Sequence, residues 1–169
     1  MSDGISIRWC GTPARAAELA DFFARHVGPE YISHSELQVG RALSPTEWQP
    51  SLRDILRAEI ERRLGGPPGP DGKAIAVAEE SGGLVALSYV TFAASVPVPF
   101  AIVEDMIVSL AVRGRGVGKA VLDWIAAEAR TRGIRRLFLE SGVDNERAHA
   151  FFEREGFRPT SVVMMKSLG

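Results

Sequence analysis

The pattern of apolar and polar positions changes period twice along the chain. Ile5–Trp9 alternates apolar and polar residues and predicts a half-buried strand. Thr12-Pro13 then supplies an N-cap with proline at the first helical position, and Ala16, Leu19, Phe22, Phe23 and Val27 form one helical stripe that Gly28-Pro29 stops. Residues 30–50 keep no sustained period, contain Pro45 and Pro50, and predict irregular structure. A second helix follows, opened by Ser51-Leu-Arg-Asp54 as a capping-box variant, with Leu52, Ile55, Leu56, Ile60 and Leu64 inward; the run from Gly65 to Gly72 breaks it as an exposed loop.

After that loop the texture is β. Lys73–Glu80 and Leu84–Phe92 are apolar runs joined by Ser81-Gly82-Gly83, the chemistry of a tight hairpin, and Phe100–Val108 predicts a third strand after the connection 93–99. Val117–Arg132 returns to helical period, with Val117, Val121, Leu122, Ile125 and Ala129 on one face and Gly133 as terminator. Ile134–Ser141 predicts a strand, parallel to its neighbour across a right-handed crossover. Asn145–Glu155 predicts a last helix, and Phe157–Ser167 one or two closing strands. The class is α+β with a mixed sheet.

Composition narrows the function classes. At 169 residues and 46% apolar content the chain suits one domain with a substantial core. Its 20 basic and 21 acidic residues nearly cancel, which argues against nucleic acid or an anionic membrane surface as partner and for a small molecule. The single cysteine, Cys10, excludes an internal disulfide framework; placed after a strand with no histidine near in sequence, it reads as a small buried hydrophobe. The start Met1-Ser-Asp-Gly-Ile5 lacks the regions of a signal peptide, and no apolar run approaches the roughly 20 residues of a membrane span. A cytoplasmic location is the expectation. His26, His34 and His149 show no metal-ligand spacing, so no metal is expected.

The chemistry concentrates in residues 104–119. Arg113-Gly-Arg-Gly-Val-Gly118 fits R-x-x-G-x-G at the point where a strand gives way to a helix, where free backbone amides, the helix dipole and glycines together suit a phosphate. There is no G-x-x-x-x-G-K-[ST], and the preceding strand does not open a dinucleotide fold. Upstream, Glu104 and Asp105 interrupt an apolar strand, where a carboxylate is costly unless paired or functional. Strand alternation lets only one of them face the site.

With these motifs the last hundred or so residues resemble the GNAT superfamily of acyl-CoA-dependent N-acyltransferases. Asp144-Asn145-Glu-Arg-Ala148 through Phe151-Phe152 to Gly156-Phe157 is similar to the family's second signature. The resemblance implies a mixed, mostly antiparallel sheet flanked by helices, with a parallel strand pair splayed at the cofactor. It implies an acceptor-covering region over about residues 1–70 and an acyl-CoA-binding core over about 73–169 of one domain. By the same resemblance, the amides of Gly114, Arg115, Gly116, Val117, Gly118 and Lys119, with Arg113, would hold the coenzyme A pyrophosphate. Met106, Ile107 and Val108 would pair with pantetheine, Val108 would place an amide on the thioester oxygen, and Asn145 would bond the pantetheine arm. Glu104, four residues before Val108, sits where many members carry a base, with Asp105 in reserve. The departure is Phe152, which stands where the family usually has a tyrosine that protonates the thiolate; it can line the cofactor but has no proton to give. Tyr31 is the candidate substitute acid.

The reading is therefore an N-acetyltransferase that moves an acetyl group from acetyl-CoA to a primary amine, on a small molecule or a protein, by direct transfer in a ternary complex. Two alternatives stand beside it: an acyl-CoA-binding regulatory domain without turnover, favoured by Phe152, and a module that binds a nucleotide or another phosphate. Arg130, Arg132, Arg135 and Arg136 are read as a solvated cluster at a helix end, and Trp9, Trp48 and Trp124 as packing residues. An exposed apolar strand at Val162–Met165 would favour a homodimer.

Overall fold

The computed structural model describes residues 4–65 and 68–169. The reading of Met1–Asp3 as lacking a leader, and the Gly66-Pro67 part of the predicted breaker loop, lie outside the described residues. In chain order the elements are β1 (Ser6–Cys10), α1 (Ala16–His26), α2 (His34–Gln38), β2 (Ala42–Ser44), β3 (Glu47–Trp48), α3 (Leu52–Arg63), β4 (Asp71–Glu80), β5 (Gly83–Ala93), β6 (Phe100–Val108), α4 (Val117–Thr131), β7 (Leu137–Leu139) and α5 (Glu146–Arg154). They divide into two units, Met1–His26 with Arg53–Glu140, and Val27–Leu52 with Ser141–Gly169.

The first unit is built on a five-stranded sheet in the order β1-β4-β5-β6-β7, antiparallel except for the parallel pair β6–β7. Its centre is the predicted meander. Ser81 (φ 50°) and Gly82 (φ 77°) both take the left-handed region, as a two-residue hairpin loop with the twist of its strands requires, and Glu80 pairs with Gly83 across it. Helices α1 and α3 bury the residues their period predicts: Leu19 and Phe23 from the first, Leu56 and Ile60 from the second. Together with Ile75, Leu87, Tyr89 and Ile125 these are among the largest fully buried side chains. At this burial each aliphatic side chain contributes about 1.5–3 kcal/mol. Thr12 makes no side-chain cap; a 3-10 turn at Pro13–Arg15 leads into α1 instead.

Arg132 departs from the solvated role expected of it. Its guanidinium lies 4.3 Å from the Phe92 ring centroid and donates to the carbonyls of Glu128, Gly69 and Pro68. It therefore fastens the end of α4 to the chain before β4, while Arg130, Arg135 and Arg136 are exposed. Cys10 is buried at the end of β1, as a small hydrophobe would be.

Three sequence expectations need correction. The predicted strand Ile134–Ser141 shrinks to Leu137–Leu139. Residues 30–50, predicted irregular, contain α2 and the β2–β3 hairpin. Ser33 and Glu36 close a capping box around α2, and the buried Glu36 pairs with the buried Arg41. Elements this short hold too few residues to display a period. No strand forms in 157–169: Val162, Val163, Met164, Met165 and Leu168 are exposed, because β-prone residues make a strand only where a neighbouring edge takes their hydrogen bonds.

Within the second unit, Gly142 lies against the backbone of Glu30 and Ile32: a Cβ there would stand 2.6 Å and 2.5 Å from their carbonyl oxygens. Asn145 N-caps α5 by accepting from the Ala148 amide at 3.3 Å.

Candidate active site

Glu104 occupies a β-bulge. Tyr89 pairs with Asp105 and Val90 with Val103, so β6 carries one residue more than β5 opposite, and Glu104 is that residue. The bulge breaks the simple alternation that would place the two carboxylates on opposite faces. Directly opposed residues share a face, as do residues two apart on a strand. Asp105 lies opposite Tyr89, and Glu104 accepts from the hydroxyl of Thr91 at 2.5 Å, so both carboxylates stand on the face of Tyr89 and Thr91. Their burial differs: Asp105 is 3% exposed, whereas the Glu104 side chain keeps 25% of its surface in solvent. Of the two, Glu104 is the carboxylate that reaches solvent.

Both oxygens of Glu104 are held. Oε2 accepts from Arg63 at the end of α3, and Oε1 accepts from Thr91 and lies 3.8 Å from Lys73 Nζ. Burial pushes the carboxyl pKa up, but the Thr91 hydrogen bond, the Arg63 guanidinium and the Lys73 ammonium together outweigh it and hold the group below the ordinary glutamate range. It is anionic at neutral pH.

Past the bulge the strand opens on its other edge. β7 pairs only with Ala101–Val103, so no strand among the described residues pairs with Met106–Val108 on that side. The main chain there can accept an extended ligand as an added strand. A 3-10 turn at Leu110–Val112 follows, and then the glycine-rich turn, whose residues 113–116 are exposed. Gly114 (φ 80°) and Gly116 (φ 82°) take the left-handed region, with nothing within 4 Å of where a Cβ would stand. Gly116 is the N-cap of α4 and gives no side-chain cap; the first intrahelical bond runs from the Ala120 amide to the Gly116 carbonyl, so the Val117 and Gly118 amides have no helical acceptor to reach. Open space, uncapped amides and the positive end of a four-turn helix fit the diphosphate of coenzyme A. Arg115 is engaged by a bidentate pair with Glu80 at 3.0 and 2.8 Å. Replacing Gly116 by valine should weaken acetyl-CoA binding by about tenfold or more, since a β-branched residue at positive φ costs about 1–3 kcal/mol and its side chain would enter the cradle. Calorimetric titration checks this.

The turn is tied to α1 through His26, a residue sequence reading assigned no role. Its Nδ1 accepts from the Leu110 amide at 3.3 Å, and its carbonyl accepts from Arg113 at 3.4 Å. Burial, then the charges of Arg25 and Arg113, lower the His26 pKa below its usual 6.5. As pH falls the unfolded chain takes up this proton first; the stability involved is complete above the unfolded value and lost as pH drops through the folded one. Thermal melts between about pH 7.5 and 5.5 should therefore show a steeper loss of Tm in the wild type than in His26→Gln.

Of the sequence-selected residues, Glu104, Met106, Ile107, Val108 and Arg113 to Lys119 all fall on this one strand-turn-helix of the first unit. Asn145 and Phe152 belong to the second unit. There the Asn145 side-chain oxygen serves the helix cap, and Phe152 packs between the rings of Phe151 and Phe157, with centroids 5.2 and 5.8 Å away. Tyr31 lies 6.2 Å from Trp48 by ring centroid. Among the described residues no three His, Cys, Asp or Glu side chains gather in a metal-binding group.

A model of the acetyltransferase (GNAT) family matches residues 38–157. The chain belongs to the GNAT acetyltransferase family. Among its relatives is an uncharacterized N-acetyltransferase of Bacillus subtilis (strain 168), 41% identical over 56 residues, a match that spans 33% of this chain and 36% of that protein. The fold is shared with an aminoglycoside N-acetyltransferase in complex with CoA (TM-score 0.70, 16% identity, 99% of this chain and 96% of that one). It is shared also with a ribosomal-protein-alanine N-acetyltransferase from Brucella melitensis biovar Abortus 2308 (0.65, 17%, 96% and 100%) and a transcriptional regulator from Bacillus halodurans C-125 (0.71, 17%, 98% and 100%). The five-stranded, mostly antiparallel sheet with one parallel pair is the GNAT architecture that the two motifs imply.

Proposed function

We propose that this GNAT chain, acting as a single domain over residues 1–169, transfers an acetyl group from acetyl-CoA to a primary amine by direct attack in a ternary complex. The observation that carries the reading is the continuity of one strand, turn and helix. The half-buried Glu104, the unpaired edge 106–108 and the uncapped amides of α4 follow one another along residues 104–119. When bound, acetyl-CoA supplies the acyl group as an activated thioester. The amides at the start of α4 hold the diphosphate, the β6 edge aligns the pantetheine arm, and the Val108 amide polarises the thioester carbonyl. The resemblance of its motif keeps Asn145 as a candidate cofactor contact.

Glu104 receives the amine. A carboxylate held low in pKa is a weak proton reservoir. Its contribution is that of a fixed anion and hydrogen-bond acceptor: it orders the amine, draws off its proton as the C–N bond forms, and passes that proton to solvent through its exposed edge. The thiolate, with an ordinary thiol pKa of about 8.5, leaves without an acid from Phe152.

Release of free thiol from acetyl-CoA across a panel of amino acids, polyamines, aminoglycosides and peptide N-termini tests the proposal. Turnover with at least one class is expected. Binding of acetyl-CoA with no turnover on any would favour the second reading, an acyl-CoA-sensing domain, which Phe152 packed between two other phenylalanines supports. Thermal stabilisation by ATP equal to that by acetyl-CoA would reject both.

A further inference from the structure

We propose that Arg63 is a positioning residue for acetyl transfer, fixing the carboxylate of Glu104 on its bulge in the one orientation that presents it to the acceptor. The inference rests on Glu104 being the group that receives the amine.

Arg63 closes the last turn of α3 and is only 12% exposed. Its guanidinium carbon lies 4.7 Å from the centroid of the fully buried Tyr89 ring, and one terminal nitrogen donates to Glu104 Oε2. The other, Nη1, is buried and bonds no hydrogen-bond partner among the described residues. With Nη1 enclosed and the guanidinium stacked on Tyr89, the bond to Glu104 is the contact through which Arg63 bears on the proposed site. A bulge residue is free of the pairing that fixes its neighbours, and a glutamate side chain has three rotatable bonds, so without such a clamp the carboxylate would sample several positions. The clamp has two jaws on opposite sides: Arg63 on Oε2, from a helix, and Thr91 on Oε1, from β5. The charged and titratable groups around Glu104 are Arg63 from α3, Lys73 from β4 and, along its own strand, the buried Asp105; Thr91 and Tyr89 face it from β5. Lys73 is 57% exposed, sits 3.8 Å away and adds charge without a fixed geometry. Because Arg63 is the cation in closest contact, its removal leaves burial less opposed and the carboxyl harder to ionise.

The test combines two readings on the full chain. Carbon-13 NMR of glutamate side-chain carboxyls, with Glu104 assigned by its loss in Glu104→Gln, follows its titration without any acceptor. The pH profile of kcat/KM, taken with whichever panel amine turns over, follows its role in the reaction. In Arg63→Met the titration midpoint and the acidic limb should move up together, kcat should fall about tenfold, and KM for acetyl-CoA should stay within about twofold. Arg63→Lys, which keeps the charge, should return the limb toward the wild-type position. Thr91→Val removes the other jaw and should also raise the midpoint, a reading that stands even where Arg63→Met does not fold. An unmoved midpoint and limb in Arg63→Met, or in Thr91→Val where Arg63→Met fails to fold, would overturn the proposal, as would equal loss in Arg63→Met and Arg63→Lys with a raised KM for acetyl-CoA. Wild-type rate in Glu104→Gln, or no turnover on any amine, would instead overturn the underlying reading and this inference with it.

Discussion

Glu104→Gln is expected to lower kcat by about a hundredfold while leaving acetyl-CoA affinity within about twofold. Glutamine keeps the length and planarity of the side chain and its bond from Thr91, but gives up the negative charge proposed to order the amine and take its proton. A hundredfold is about 2.7 kcal/mol of barrier, well within what removal of a positioned acid-base group costs. The substitution also leaves the buried Arg63 guanidinium without its counter-charge, so some thermal stability should go with the rate. Two measurements separate these effects. Calorimetric titration of acetyl-CoA reports the cradle at 114–119, which Glu104 does not touch, and thiol release reports the chemistry. Unchanged kcat would remove Glu104 from the reaction and shift attention to Asp105, which the bulge turns to the same face.

The second large effect concerns stability. Gly142→Ala should lower Tm by about 5–10 °C. The added Cβ would stand 2.5 Å from the Ile32 carbonyl oxygen and 2.6 Å from that of Glu30. Both are backbone atoms, so no side chain can swing away to relieve the collision; overpacking of this kind costs about 1–3 kcal/mol, and a chain this long loses roughly 2–4 °C per kcal/mol. Gly65→Ala is the control, because nothing among the described residues lies within 4 Å of its Cβ position, and its Tm should stay within about 1 °C. Differential scanning calorimetry of the two variants decides the matter; equal melting would mean that the close approach at Gly142 relaxes without cost.

Residues such as Gly142 mark where the sequence stops being informative. The elements from Lys73 to Arg132 are legible because each is long enough to display its period and each turn carries the residues its geometry needs, Ser81-Gly82 with two positive φ angles being the clearest case. The glycine-rich turn is legible for the same reason, since Gly114 and Gly116 both take left-handed angles that glycine suits. The bulge at Glu104 has no sequence mark, because it is defined by the count of residues on the opposite strand. It undoes an inference from simple alternation. Arg63 lies 41 positions from Glu104 and looks, in sequence, like one more cation at a helix end. His26 is likewise 84 positions from Leu110 and looks like a surface residue of α1. The Ser33-to-Glu36 box could have been read, since both partners have the right spacing; the short helix it opens gives it no periodic stretch to stand beside. The closing strands expected in 157–169 fail for the opposite reason: composition suggests them, but a strand is a relation to a neighbour and not a property of a segment.

The brevity of β7 has a consequence for the edge it leaves open. Three residues of β7 pair with β6, and on that side Met106 to Val108 present main-chain donors and acceptors that no strand among the described residues takes. Such an edge is a template for any other extended chain, including another molecule's. An acyl-CoA ligand lying along this edge, as proposed, would take those donors and acceptors and withhold them from a second chain.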